Sequence, residues 1–190
     1  WVLSIDADER LDPDLARAVR EIVDGAHSLA DSPDAYRLPR LSSFCGQWMR
    51  HGDWYPDRVL RLFRRERARF SDDLVHERLL LTPRQGEVRP RVGQLDRGHL
   101  LHDTMPTLED AIDKMNRYSS GRARDKVAAG SRGGLGAALL HAAWAFVRGY
   151  VVRRGFLDGR LGLVLACYVA EGTYYRYLKM GMLQGLGAGP

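Results

Sequence analysis

Five mostly apolar residues, Trp1 to Ile5, run straight into Asp6-Ala7-Asp8. The pattern predicts a buried strand over residues 1–6 that ends in two carboxylates. Asp12-Pro13-Asp14 then opens a helix, since Asp is a good N-cap, Pro suits the first helical position, and acidic residues suit the positive end of the helix dipole. Leu15, Val19, Ile22 and Val23 recur at helical spacing and Gly25 follows, so the helix spans 13–24. Capping explains Asp12 and Asp14 but leaves Asp6 and Asp8 without a structural role. Residues 26–34 read as a polar loop and 35–42 as a strand. Residues 43–56 form a loop rich in aromatic and basic side chains. Residues 59–64 read as a short arginine-rich strand, and 88–92 and 94–101 as further strands.

The pattern changes near residue 103. Thr107 can cap a helix with Asp110 at the reciprocal position, and Leu108, Ile112 and Met115 follow at helical spacing. From there on the pattern is helical, interrupted by a glycine-rich break over 131–136. Two stretches carry no formal charge, the fifteen residues Gly133–Val147 and the ten residues Leu161–Ala170. Both are shorter than the roughly 20 residues that span a bilayer. Between them Arg148, Arg153, Arg154 and Arg160 face one acid, Asp158. Short apolar helices flanked by arginine suit the interface of an anionic membrane, while an ordinary helical subdomain packed on a core or a partner subunit gives the same pattern.

Composition adds a bias toward anionic partners. The net charge is +5 and arginine dominates the basic side. A nucleotide diphosphate, anionic lipid or nucleic acid would suit that balance. The arginines are scattered and no nucleic-acid-binding module is visible, which argues against nucleic acid. The two cysteines, Cys45 and Cys167, lie far apart. They form neither a disulfide framework nor a zinc pattern, and they fit a reducing compartment.

The candidate chemistry centres on Asp6 and Asp8. Two carboxylates at the carboxyl edge of a strand suit a hard divalent cation, Mg²⁺ or Mn²⁺, which keeps some water and shares its other positions with a diphosphate. Glu9 is placed to orient that loop. His102, after an apolar run, is a candidate third ligand or a structural histidine. Glu77 is a candidate base, with Asp72, Asp73 and Asp57 as alternatives. His76 would orient Glu77 or line the diphosphate site, unless the two form a surface pair. Trp48, Arg50, His51, Trp54 and Tyr55 make a dense aromatic and basic cluster, in which aromatic faces could stack on a sugar and arginine hold a phosphate, or which could anchor a loop in the core. Arg61, Arg64 and Arg65 could hold a phosphate or lie on a solvated strand face.

Taken in order, Asp6-Ala-Asp-Glu9, Gly46-Gln-Trp-Met-Arg-His-Gly-Asp-Trp-Tyr-Pro-Asp57, Leu60-Arg-Leu-Phe-Arg-Arg65 and Val75-His-Glu77 resemble the family 2 inverting glycosyltransferases of the GT-A fold. The nearest group is the lipopolysaccharide core β-glucosyltransferase type. Asp113-Lys-Met-Asn-Arg-Tyr118 and Gly155-Phe-Leu-Asp-Gly159 resemble that group's C-terminal segment. The resemblance implies a nucleotide-sugar donor, a divalent metal on Asp6 and Asp8, and single-displacement transfer of a sugar, glucose in that group, with inversion. It implies a lipid-linked or lipopolysaccharide-core acceptor and a peripheral position on the cytoplasmic face of the inner membrane. Under the resemblance Glu9 would touch the donor sugar, and Glu77, or else Asp72, Asp73 or Asp57, would take the acceptor hydroxyl's proton. Trp48, Arg50, His51, Trp54 and Tyr55 would meet a phosphorylated glycolipid acceptor, and Arg61, Arg64 and Arg65 would hold donor diphosphate or acceptor phosphate.

The expected architecture is therefore α/β. Residues 1–102 would be the C-terminal part of a Rossmann-like GT-A domain, and 103–190 a helical, membrane-associating region. About the first third of the catalytic domain, with the nucleotide-binding strands, would precede residue 1. These residues alone would then be inactive. Two competing readings are weaker. A non-catalytic membrane-surface module would not need the paired aspartates. A haloacid-dehalogenase-like phosphatase would want Thr or Val where Arg10 stands.

Overall fold

The computed structural model describes residues 1–25, 32–71 and 79–185. The chain divides into two units, one of residues 1–41 and 56–102, the other of residues 42–55 and 103–190. The second unit thus takes in a segment that lies among the strands in sequence.

In the first unit the apolar start of the chain forms only a short strand, β1 (Val2–Leu3). The chain then turns, with the Glu9 amide donating to the Asp6 carbonyl at 3.0 Å. Asp favours the first position of such a turn, which is why the strand predicted over 1–6 stops early. Strand β2 (Glu9–Leu11) follows, then helix α1 (Pro13–Val23). One Asp12 carboxylate oxygen accepts from the Leu15 amide at 2.8 Å, and the other accepts from the His99 amide at 2.8 Å. The cap therefore joins α1 to the chain near residue 99. Leu15, Ala18, Val19 and Ile22 are buried on one face of α1, whereas Val23, one residue on, is turned away from that face and exposed.

Strand β3 (Ala35–Phe44) is the long central element. A two-residue strand, β4 (Gln47–Trp48), folds back on its end within the second unit, and β5 (Asp57–Phe63) returns antiparallel along it, pairing Arg40 with Asp57 and Leu38 with Val59. Strands β6 (Ala68–Phe70) and β7 (Leu79–Leu81) pair antiparallel as a separate two-stranded sheet. Strand β8 (Val92–Gln94) lies parallel to β3, and β9 (Leu100–Met105) runs antiparallel to β2. The main order is β1-β5-β3-β9-β2. The strands predicted at 88–92 and 94–101 thus shift to 92–94 and 100–105. Pro90 has no amide to give a ladder, and Asp96-Arg97-Gly98 makes a turn. Gly98 has φ +68°, and a Cβ there would lie 2.1 Å from the Leu15 nitrogen, so only glycine fits against α1. The core of this unit joins Leu15, Val19, Ile22, Tyr36, Leu38, Leu62 and Leu100.

In the second unit Thr107 caps α2 (Leu108–Ala128), with its hydroxyl accepting from the Asp110 amide at 3.1 Å and donating to the Asp110 carboxylate at 2.7 Å. Helix α3 (Leu135–Val147) continues through a π-helical turn over Arg148–Val152. A short 3-10 turn, Gly155–Asp158, leads into α4 (Gly159–Leu183). Lys179 on α4 donates to the Asn116 side chain at 2.7 Å and to the Ser119 and Ser120 hydroxyls at 2.9 and 2.8 Å on α2. Burial pushes the Lys179 pKa down, so these oxygens share a charge that has lost water.

Close backbone approach holds the turn between α3 and α4. A Cβ on Gly162 would lie 2.0 Å from the Gly155 carbonyl oxygen, and one on Gly155 would lie 2.7 Å from the Gly149 oxygen. Phe44, Met49, Met105, Ala111 and Leu165 form the buried core here. Because the helix continues past Arg148, Leu135–Val152 is 18 residues long, and by length and composition it could cross a membrane. That differs from the two short stretches read from sequence, which ended at the first charge.

Candidate active site

The turn at Asp6-Ala7-Asp8 sits over a buried carboxylate. Glu9 begins β2 and its side chain is fully covered. It would be costly there without partners. Its oxygens accept from the Asp6 amide at 3.1 Å, Arg61 Nη2 at 3.0 Å and Arg40 Nη1 at 3.3 Å. Arg61 and Arg40 project from β5 and β3, adjacent strands, so the two guanidinium groups converge on one carboxylate. Arg61 also pairs with Asp6, and Arg40 pairs with Asp57 at 2.7 Å. Asp6, Arg61, Glu9, Arg40 and Asp57 therefore form one continuous network. Burial works against the Arg61 charge, but Asp6 and Glu9 more than offset it and hold its pKa above the usual arginine value.

Asp8 points elsewhere. Its carboxylate lies 3.2 Å from His102 Nε2, and His102 pairs with Glu9 in the β2–β9 ladder. The register explains why Asp8 and His102, far apart in sequence, meet at one turn. Asp6 and Asp8 are about half-exposed, at 55% and 47% of the side chain, while His102 is largely covered. Among the described residues no group of three or more His, Cys, Asp or Glu side chains is arranged to hold a metal ion. The donor set that the turn does offer is two half-exposed carboxylates and one imidazole. Of these, the two carboxylates are of the kind a hard cation can take when water and phosphate oxygens complete its shell.

The aromatic and basic cluster lies in the second unit. His51 Nδ1 is 2.8 Å from the Asp158 carboxylate, whose other oxygen accepts from the His51 amide at 2.8 Å. The Gln47 side chain donates to the Asp158 carbonyl at 2.8 Å. Trp54 packs edge-on against Phe44 and Tyr168, with ring centres 5.7 and 6.2 Å away. Trp48 and Tyr55 are half-buried and Arg50 is exposed. In the first unit, Arg64 lies over the Trp1 ring at 4.5 Å and donates to the Ser32 hydroxyl at 3.0 Å. Arg65 begins the turn that follows β5. Glu77, Asp72, Asp73 and His76 lie outside the described residues.

Several residues that organise these sites were not singled out from sequence. Arg40 carries half of the Glu9 network. Asp53 accepts both forks of Arg148, at 3.0 and 2.7 Å. Asp34 is fully buried and receives Arg84 at 2.9 Å. Arg40 does carry a signal, since an arginine within a strand pattern that buries a face needs a buried acid nearby. Asp158 carries one as the only acid among four arginines. Asp34 carries none in sequence.

Three comparisons place the chain among known proteins. No protein-family model matches it. No solved structure matches it. Curated relatives do. The chain is 28% identical over 185 residues, 93% of its length, to the lipopolysaccharide core biosynthesis glycosyltransferase LpsC of Rhizobium meliloti. It is 25% identical to an uncharacterized glycosyltransferase of Rickettsia typhi over 95% of its length, and to another of Rickettsia prowazekii over 98%. It spans 64%, 61% and 62% of those proteins respectively, less than two thirds of each. The similarity covers both units, so the sheet with its acidic turn and the helices after it belong to one shared pattern of chain, and that pattern is similar to proteins named as glycosyltransferases.

Proposed function

We propose that this chain is the metal- and acceptor-side portion of a family 2, GT-A-type inverting glycosyltransferase. It would move a sugar, glucose by the nearest resemblance, from a nucleotide-diphosphate donor to a lipid-linked or lipopolysaccharide-core acceptor. The observation that carries the reading is the Asp6-Ala7-Asp8 turn, underpinned by the buried Glu9 and its two arginines, in a chain similar along almost its whole length to proteins named as glycosyltransferases.

Asp6 and Asp8 would hold a divalent ion, Mg²⁺ or Mn²⁺, with His102 beside Asp8 as the third candidate. Bound there, the ion would neutralise charge developing on the leaving diphosphate. Glu9, held by Arg40 and Arg61, fixes the turn so that the two carboxylates need not reorganise as that charge grows. Glu77 is proposed to take the acceptor hydroxyl's proton, with Asp72 and Asp73 as the neighbouring alternatives. The helical unit is proposed to lie on the cytoplasmic face of the inner membrane without crossing it. Its cationic residues would meet anionic lipid and its exposed apolar side chains the acyl boundary.

The test is sugar transfer from a uridine-diphosphate sugar by the full-length protein. Asp8→Asn should cut turnover by orders of magnitude without loss of folded structure, and a chelator should do the same to the unaltered protein. Glu77→Gln should retain donor binding and lose transfer. Near-normal turnover with chelator present would refute metal assistance, and the Glu77 phenotype appearing instead in Asp72→Asn or Asp73→Asn would move the base.

A further inference from the structure

The second unit holds a cavity of about 530 Å³, lined by residues of α2, α4, the π-helical turn and the segment around Asp53. That volume is in the range of small-molecule sites, roughly 300–1,000 Å³. Five of its lining side chains are cationic: Lys114, Arg122, Arg148, Arg153 and Arg176. The only acid among the lining residues is Asp53. It is already engaged, taking both forks of Arg148 and lying 3.5 Å from Arg153. Among the described residues neither Lys114, Arg122 nor Arg176 pairs with a carboxylate. Lys114 donates to the Thr104 hydroxyl at 2.7 Å, and the buried Nε of Arg176 has no hydrogen-bond partner. Like charges gathered in a concave site with low-dielectric walls raise the local potential and draw in an anion. The two guanidinium groups that no carboxylate holds, Arg122 and Arg176, suit phosphate oxygens, which accept two parallel N–H bonds at once, and Lys114 adds a point charge.

The surroundings say what carries that phosphate. Leu140, Trp144 and Arg148 are spaced four residues apart and so share one helix face. Leu140 and Trp144 are exposed, at 70% and 55%. An uncovered apolar stripe therefore leads directly to a cation of the cavity. Val151 and Val152, between Arg148 and Arg153, are likewise exposed. A soluble anion would need the cations alone, whereas an amphiphile uses both features.

We propose that this cavity binds the phosphate headgroup of a membrane-resident amphiphile, whose apolar part lies along the exposed face of α3. The proposal deepens the reading above and rests on its claim that the helical unit lies on a membrane surface. It names the pocket and the chemistry by which that unit holds a lipid.

The test uses the chain with vesicles of neutral phosphatidylcholine, alone or doped to equal charge with phosphatidic acid or phosphatidylglycerol, and separately with inorganic pyrophosphate and uridine diphosphate in solution. Phosphatidic acid vesicles, which present a phosphomonoester, should bind more tightly than phosphatidylglycerol vesicles. The pair Arg122→Gln and Arg176→Gln should weaken both that binding and pyrophosphate binding by about tenfold or more, the effect of losing a charge-assisted hydrogen bond. The pair Arg117→Gln and Arg132→Gln, outside the cavity, should not. Circular dichroism would confirm that both variants fold.

Equal losses in the two pairs, or equal binding of the two anionic vesicles, would overturn the proposal in favour of general surface charge. Vesicle binding without any pyrophosphate binding would overturn the cavity and leave the membrane reading standing. Cavity-dependent binding of uridine diphosphate with no vesicle binding would assign the phosphate to a soluble nucleotide and sink both the lipid and the membrane reading.

Discussion

The two units bury charge for different ends. In the sheet unit, Glu9 is sealed beneath an exposed acidic turn and tied to two strands through Arg40 and Arg61. In the helical unit, the buried carboxylates Asp53 and Asp158 fasten the 42–55 segment to the turn between α3 and α4, through Arg148 and His51. The apolar surface divides as well. Most exposed large apolar side chains lie on α2, α3, α4 and the turns joining them, and few lie on the sheet. One unit thus presents polar groups held rigidly from below, which suits chemistry on a charged substrate. The other presents apolar faces beside cations, which suits an amphiphilic surface.

The comparison breaks first at the Glu9 network. Arg61→Met leaves a fully covered carboxylate with one partner fewer and should destabilise the sheet unit by about 3 kcal/mol, the cost of breaking a buried ion pair. Urea unfolding would measure it, and a change near zero would mean that Glu9 is better hydrated than its burial indicates.

In the helical unit the corresponding weak point is backbone approach rather than charge. Gly162→Ala places a methyl 2.0 Å from the Gly155 carbonyl. It should lower stability by about 2 kcal/mol, as overpacking does, and calorimetry would show a lower unfolding temperature. An unchanged midpoint would show that the turn between α3 and α4 can open.

Asp158→Asn should cost about 1 kcal/mol through the weakened bonds to His51, and should loosen residues 42–55 more than the sheet unit. Hydrogen exchange at the His51 amide reads this directly. Protection unchanged from the unaltered protein would place the anchor elsewhere.

The smallest effect is a shared one. Burial raises the hydroxyl pKa of Tyr36 in the sheet unit and of Tyr168 in the helical unit above the ordinary 10.0. Above that pH the unfolded chain loses these protons first, so the folded state binds more protons and stability falls as pH rises. Below pH 10.0 both states are protonated and the contribution is intact. Tyr36→Phe and Tyr168→Phe should each make alkaline unfolding shallower, and an identical alkaline profile in both variants would show that other groups set it.

Local signals in the sequence located the elements well where one residue decides the geometry. Asp12-Pro13 fixed the start of α1, Thr107 the start of α2, and the apolar spacing of Leu15, Val19 and Ile22 the buried face. The failures share a cause. The strand predicted over 1–6 stops at a turn that Asp6 initiates, and the shifted strands after residue 88 answer to Pro90 and to the contact of Gly98 with α1, which lies far off in sequence. The candidate site was legible as a motif but not as a network. Asp6 and Asp8 can be chosen from spacing, and Glu9 and Arg61 from the resemblance, but their links to Arg40, Asp57 and His102 depend on strand order and register. The second unit hid more, because the cavity draws its cations from α2, α4 and the π-helical turn, which no local pattern brings together.

The central claim is that the acidic turn over Glu9 holds a metal with a diphosphate. Titrating Mn²⁺ into the full-length protein with uridine diphosphate present, followed by electron paramagnetic resonance, tests it most directly. The account predicts bound Mn²⁺ that needs the diphosphate for tight binding and is lost in Asp8→Asn while the protein stays folded. Mn²⁺ binding that is equal in the unaltered protein and in the Asp6→Asn, Asp8→Asn double variant would contradict it.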